Sequence, residues 1–123
     1  MPHERRIFGT QGEERAVRFL EGKGWRVLAR QQRTPFGEID LVCLDAGCLV
    51  FVEVKARRTA RFGPPQAAIT PVKFRHMVAA ARAYAAMRGW HGPWRLDVVA
   101  ILHGAGGGER ITHFPAIDSP AAC

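Results

Sequence analysis

The feature that most constrains this chain is a pair of apolar segments, residues 38–44 and 48–55, joined at Asp45-Ala46-Gly47. A short Gly-containing junction between two such runs is a hairpin signal. Ile39, Leu41, Val42 and Cys43 on one segment, and Leu49, Val50, Phe51, Val52 and Val54 on the other, leave neither with a polar face. Strands of that kind lie in the middle of a sheet covered on both sides. The cover has to come from the rest of the 123 residues, a length that closes one hydrophobic core and predicts a single domain over 1–123.

The remaining pattern supplies that cover. A first helix is expected over 10–23, with Ala16, Val17 and Leu20 as its apolar stripe and Gly24 as its stop. A strand at 25–30 and a turn-rich connection at 33–37 lead into the hairpin. After a basic, Pro-containing loop at 56–69, Thr70-Pro71 reads as N-cap and first residue of a second helix. Phe74, Met77, Val78, Ala81 and Ala85 share one side of it, and Gly89 ends it near Arg88. A buried strand follows at 96–102, then a glycine-rich turn at 104–108 and a candidate edge strand at 110–114. The order α-β-β-β-α-β, with that last strand open, predicts an α/β fold: a mixed central sheet flanked by helices. About eight residues at the N-terminus and the tail from about 115 read as loose.

No apolar run reaches the roughly 18 residues of a membrane span, and no apolar stretch follows the basic N-terminus as in a secretory signal. These features predict a cytoplasmic protein with no membrane partner. Cys43, Cys48 and Cys123 have no zinc-ligand spacing and read as two reduced core thiols and a tail residue. The net charge of +7, with 15 arginines among 18 basic residues, favours a polyanionic partner, since the guanidinium fork suits phosphate oxygens.

Several residues sit badly with a purely structural role. A short turn at Ala46-Gly47 places Asp40 opposite Val52 or Glu53, so the two acids lie across or diagonal, at ~5–8 Å. Adjacent acids on central strands repel each other and cost desolvation. A divalent cation removes that repulsion, because Mg²⁺ takes carboxylate oxygens at ~2.0–2.1 Å. Lys55 points to the same face as Glu53. Glu13 stands in line with the first helix's apolar stripe, where it serves the helix dipole or reaches the same corner. Glu13, Asp40 and Glu53 are therefore the candidate metal ligands, and Asp40, Glu53 and Lys55 the candidate catalytic residues, for phosphodiester hydrolysis. Arg33, Arg57, Arg58, Arg61, Lys73 and Arg75 are the candidate nucleic-acid contacts. The scattered histidines have no ligand spacing, Asp97 is expected to pair with Arg95 or a loop arginine, and Glu38 is either a supporting acid or a strand start.

Three stretches carry a family resemblance: Gly12-Glu13-x-x-Ala16, Phe36-Gly37-Glu38-Ile39-Asp40-Leu41-Val42 and Val50-Phe51-Val52-Glu53-Val54-Lys55-Ala56-Arg57. Arg61-Phe62-Gly63, Lys73 and Arg95-Leu96-Asp97-Val98-Val99 extend it. Together they resemble the YraN family of bacterial proteins. The resemblance implies a restriction-endonuclease-like fold of the PD-(D/E)xK group, similar to archaeal Holliday junction resolvases. In that group a helix Glu, a strand Asp and a Glu-x-Lys pair form the metal site, which puts Glu13, Asp40, Glu53 and Lys55 in those roles. Ile39 stands where the group name has Pro.

The expectation is a metal-dependent endonuclease using Mg²⁺ or Mn²⁺ on nucleic acid, DNA ahead of RNA, in structured or branched form. The resolvase resemblance adds a homodimer, since those relatives act as symmetric pairs. A nucleic-acid-binding protein that keeps the fold without catalysis is the alternative, and an adaptor with a basic face is a third.

Overall fold

In a computed structural model, residues 2–58, 69–104, 107–117 and 123 are described, and the side chains of 2–10 are not. Seven elements follow one another: α1 (Pro2–Gly22), β1 (Arg26–Thr34), β2 (Gly37–Asp45), β3 (Cys48–Arg57), α2 (Pro71–Met87), β4 (Trp94–His103) and β5 (Glu109–Phe114). The five strands form one sheet in the order β1-β2-β3-β4-β5. Neighbours are antiparallel except β3 and β4, which run parallel through the α2 crossover. The mixed sheet expected from the sequence is present, and β5 settles the doubtful last strand as a real edge.

The central hairpin closes on a two-residue turn. Asp45 pairs with Cys48, and Ala46 and Gly47 both take positive φ, 48° and 85°. That is the handedness a tight hairpin turn requires. Period-two alternation along β3 then separates two cores. Val50 and Val52 face α1 through Ala16, Val17 and Leu20, with Leu41, Val99 and Ile101 beside them. Leu49 and Phe51 face α2 through Ala80, Ala81 and Tyr84, with Val42 and Leu96. The sheet is thus covered on both sides, as its apolar strands demand.

Three expectations need correction. Helical backbone begins at Pro2 and runs through the segment read as a loose terminus, rather than starting near Thr10. β1 continues to Thr34, through the stretch expected to be a turn-rich connection; polar residues such as Gln31 and Gln32 hid it, because β1 is an edge strand with a wet face. Finally, Cys48 and Cys123 form a disulfide, with Cα atoms 5.9 Å apart, leaving Cys43 as the buried free thiol. The start of β3 and the chain terminus meet in space, which 75 intervening residues concealed. The reading of Cys48 as a reduced core thiol and Cys123 as a mere tail residue falls with that pairing. No helix among the described residues is long and apolar enough to cross a membrane.

Candidate functional site

The site forms where the sheet opens. β2 pairs with β3 only as far as Leu41↔Val52, yet β2 stays paired with β1 down to Gly37, and β3 stays paired with β4 up to Arg57. The far end of the β1–β2 arm therefore parts from β3 just at Asp40 and Glu53. On the arm the β1–β2 register shifts between Val27 and Ala29, and Gln31, between the pairs Arg30↔Leu41 and Gln32↔Ile39, departs from extended backbone with φ 47°. Separation frees the backbone N–H of Val54, which donates instead to Asp40 Oδ2 at 2.8 Å. Asp40 thus replaces a lost ladder bond with a side-chain one, and its carboxylate is held against β3.

Glu53 is 9% exposed, and its Oε1 meets two ammonium groups: Lys55 Nζ at 3.3 Å and Lys73 Nζ at 3.0 Å. Lys73 comes from the first turn of α2, where its backbone N–H donates to Thr70 Oγ1 at 3.1 Å. The sequence expectation had Lys73 as a phosphate contact only; the crossover carries it into the acid cluster. The chain has three lysines against fifteen arginines, and two of them converge on one carboxylate oxygen. A compact point charge, rather than a wide planar fork, is what so narrow a space admits.

Glu13 approaches from α1. Its Oε2 accepts from Gln31 Nε2 at 3.2 Å, so it binds the irregular residue of the arm. Close approach of α1 depends on Gly12, where a Cβ would stand 2.9 Å from Ala56 Cβ on β3.

The electrostatics reflect this crowding. Burial, and after it the Glu53 charge, push the Asp40 carboxyl up to about 7. Glu13 is also raised, by burial first and with smaller contributions from Glu38 and Glu53, against the Gln31 hydrogen bond. Lys55 is lowered, by burial and by its contact with Lys73. Burial works against charge on Lys73 too, but its contacts with Lys55 and Glu53 outweigh it and leave that group raised. Burial and the Glu53 charge thus disfavour the charged form of Asp40, and the Val54 N–H and Lys55 do not offset them.

Among the described residues, no three His, Cys, Asp or Glu side chains converge as a ready metal cluster. Asp40 and Glu53 nevertheless fit a hard divalent cation, because Mg²⁺ is commonly held by one or two carboxylates with water and substrate oxygens completing the shell. Glu13, tied to Gln31, stands behind them as a third acid.

The remaining expected contacts lie around this corner without joining it. Arg57 and Arg58 are exposed at the end of β3 and just beyond, Arg75 is exposed on α2, and Arg33 on the arm pairs with Glu38 at 4.0 Å. Arg61 lies outside the described residues. On the α1 face of β4, the Asp97–Arg95 pair is present at 3.0 Å. Asp97, fully buried, also meets His113 Nε2 at 2.7 Å and accepts from the Ala116 N–H at 2.9 Å. The ammonium of Lys23 lies 2.9 Å from His113 Nδ1; since it can only donate, the ring hydrogen sits on Nε2. His113 was missed by the sequence reading, and no local signal marks it, because its partners come from α1 and β4.

The profile of the uncharacterised protein family UPF0102 matches residues 12–101. The chain belongs to that family. This is the YraN family whose motifs the sequence carries. A UPF0102 protein of Thermus thermophilus is 47% identical over 105 residues, 85% of this chain and 91% of the relative. One from Anaeromyxobacter dehalogenans is 43% identical over 113 residues, 91% of this chain and 84% of the relative. The matched UPF0102 region runs from Gly12 to Ile101 and so includes Glu13, Asp40, Glu53, Lys55 and Lys73.

Proposed function

We propose that this UPF0102 protein is a metal-dependent endonuclease that hydrolyses phosphodiester bonds of DNA, in structured or branched form. One observation carries the reading: Asp40 and Glu53 are brought together where β2 parts from β3, with Lys55 and Lys73 both on Glu53. Buried like charges cost stability, and folding alone gives no reason to keep them. When bound, Mg²⁺ or Mn²⁺ supplies Lewis acidity to a phosphate oxygen and acidifies water.

The protein's own groups have distinct parts in this reading. Asp40 and Glu53 hold the cation, with Asp40 fixed by the Val54 N–H. Lys55, whose proton is more easily lost than an ordinary lysine's, moves a proton from the attacking water or balances charge growing on phosphorus. Lys73 keeps its charge and holds a non-bridging phosphate oxygen. Arg33, Arg57, Arg58 and Arg75 extend the cationic surface along the strand, and each phosphate contact steepens the salt dependence of binding. The preference for branched DNA and a symmetric dimer come from the resolvase resemblance, and the cytoplasm is where such a substrate lies.

The test is cleavage of labelled branched, duplex and single-stranded DNA with Mg²⁺, Mn²⁺ or EDTA. Cutting should require the cation and fall by about 10²–10⁴ in Glu53→Ala and Lys55→Ala proteins with intact folds. Salt-sensitive binding without cutting, unchanged in both variants, would favour a binding protein that keeps the fold without catalysis.

A further inference from the structure

The parted β1–β2 arm and α2 enclose a cavity of about 450 Å³ beside the acid cluster. Asp40, Glu53 and Lys73 form its polar wall, while Ile39, Phe51 and Leu96 line its apolar depth. A phosphate and a cation have no use for that apolar half. Four large hydrophobic side chains stand exposed among the described residues, and two of them, Phe36 at 54% and Val72 at 53%, are at this one cavity.

Phe36 is held at its backbone by its turn. Its backbone N–H donates to Thr34 Oγ1 at 3.1 Å, and the same hydroxyl donates to the Gly37 carbonyl at 2.7 Å. The turn at the tip of the arm thus fixes the backbone that carries the Phe36 ring, and the ring lines the cavity with Val72 from the first turn of α2. Glu38 and His76, both exposed, give the cavity a hydrogen-bond acceptor and a ring nitrogen. A flat, apolar-faced ligand with polar edges, attached to an anion that rests on lysines, matches every one of these walls.

We propose that this cavity receives the base of an unpaired nucleotide, stacked on Phe36, from the DNA strand whose phosphate lies at Lys55 and Lys73. The inference rests on the nuclease reading and deepens it. A base inside a duplex cannot enter, because it is stacked and paired. An unpaired base at a bulge, flap or junction enters at little unstacking cost, and stacking on an aromatic ring tolerates any base. Selection for branched or damaged structure would then come from this cavity rather than from base-edge recognition.

Fluorescence anisotropy in Ca²⁺ would compare three labelled duplexes: fully paired, with one central bulged nucleotide, and with the same bulge made abasic. The bulged duplex should bind about tenfold more tightly than the other two, and Phe36→Ala should erase that preference. Phe36 is exposed, so the variant should fold, with circular dichroism as the check; Val72→Ala should weaken the preference in the same direction. Equal affinity for bulged and abasic duplexes, or a preference that survives Phe36→Ala, would overturn the proposal. Metal-dependent cutting together with uniform binding would remove this inference and leave the nuclease reading standing. No binding to any duplex would remove both.

Discussion

Asp40 concentrates the conflict between stability and chemistry in one side chain. Its carboxyl is raised to about 7, from the 3.8 of an ordinary Asp, by burial and by Glu53. Between those values the folded chain holds a proton that the unfolded chain has released. The group's contribution to stability is therefore complete below about pH 4 and is lost as pH rises through about 7. Asp40→Asn removes the buried charge while keeping an acceptor for the Val54 N–H. The variant should be more stable than the parent at pH 8, by on the order of 1–3 kcal/mol, with a much smaller gain at pH 5. Urea unfolding at the two pH values measures both differences; a gain that does not grow with pH would contradict the assignment. Asp97 shows the opposite case. Burial would raise it, but His113, Arg95 and the Ala116 N–H outweigh burial and hold it low. An acid whose partners are all supplied is part of the frame; one whose charged form is left under-compensated is a candidate for chemistry.

Secondary-structure elements place these side chains through close approaches at a few backbone positions. α1 lies against β3 at Gly12, where any side chain would collide with Ala56. Ala56 belongs to a strand paired with β4 and cannot yield cheaply. Gly12→Ala should therefore lower stability by about 1–2 kcal/mol, even though alanine favours a helix by roughly 1 kcal/mol over glycine. It should also shift Glu13 relative to Gln31 and, on the proposed nuclease reading, reduce DNA cutting. Ala56→Gly in the same protein should restore much of the loss, and a double-mutant cycle by thermal unfolding reads the coupling. A Gly12→Ala protein as stable as the parent would show that the helix has room to spare. α2 is positioned by different means: Thr70 caps it, Pro71 opens it, and Lys73 in its first turn reaches Glu53.

Across the whole molecule, the Cys48–Cys123 disulfide ties the end of the chain to the first residue of the central strand. Arg95 lies beside the bond, donating to the Cys123 carbonyl at 3.4 Å and to Asp45 at 3.4 Å. A crosslink that closes a loop of this length removes much of the unfolded chain's freedom, worth about 4 kcal/mol. Denaturant unfolding with and without reductant should show a drop of that order. Cys123→Ser should match the reduced protein and no longer respond to reductant. An unfolding midpoint indifferent to reductant would mean that the tail does not brace the fold. The tie lies at the start of β3, whereas Asp40, Glu53 and Lys55 sit where β2 leaves its later half, so stability and the proposed cutting should respond separately to it.

Much of this arrangement was legible locally. The hairpin turn at Ala46-Gly47 set the register that brings Asp40 toward Glu53, alternation put Lys55 on the face of Glu53, and Thr70, Pro71 and Gly89 marked both ends of α2. Each of these rests on contacts between residues near in sequence, which composition and periodicity encode directly. Other features required distant segments to meet. Lys73 joined the acids only because the α2 crossover returns beside β3. The parting of β2 from β3, with the cavity it opens under Phe36, depends on β1 continuing past Gln31 as a polar edge strand. His113 found Asp97 and Lys23, and Cys48 found Cys123, across gaps where no pattern in the chain records the neighbour. The sequence by itself determined the strands, the caps and the charged candidates, because those follow from short-range geometry and burial. Only the tertiary structure decided which charges share a corner, since that depends on how the sheet is covered and where it opens.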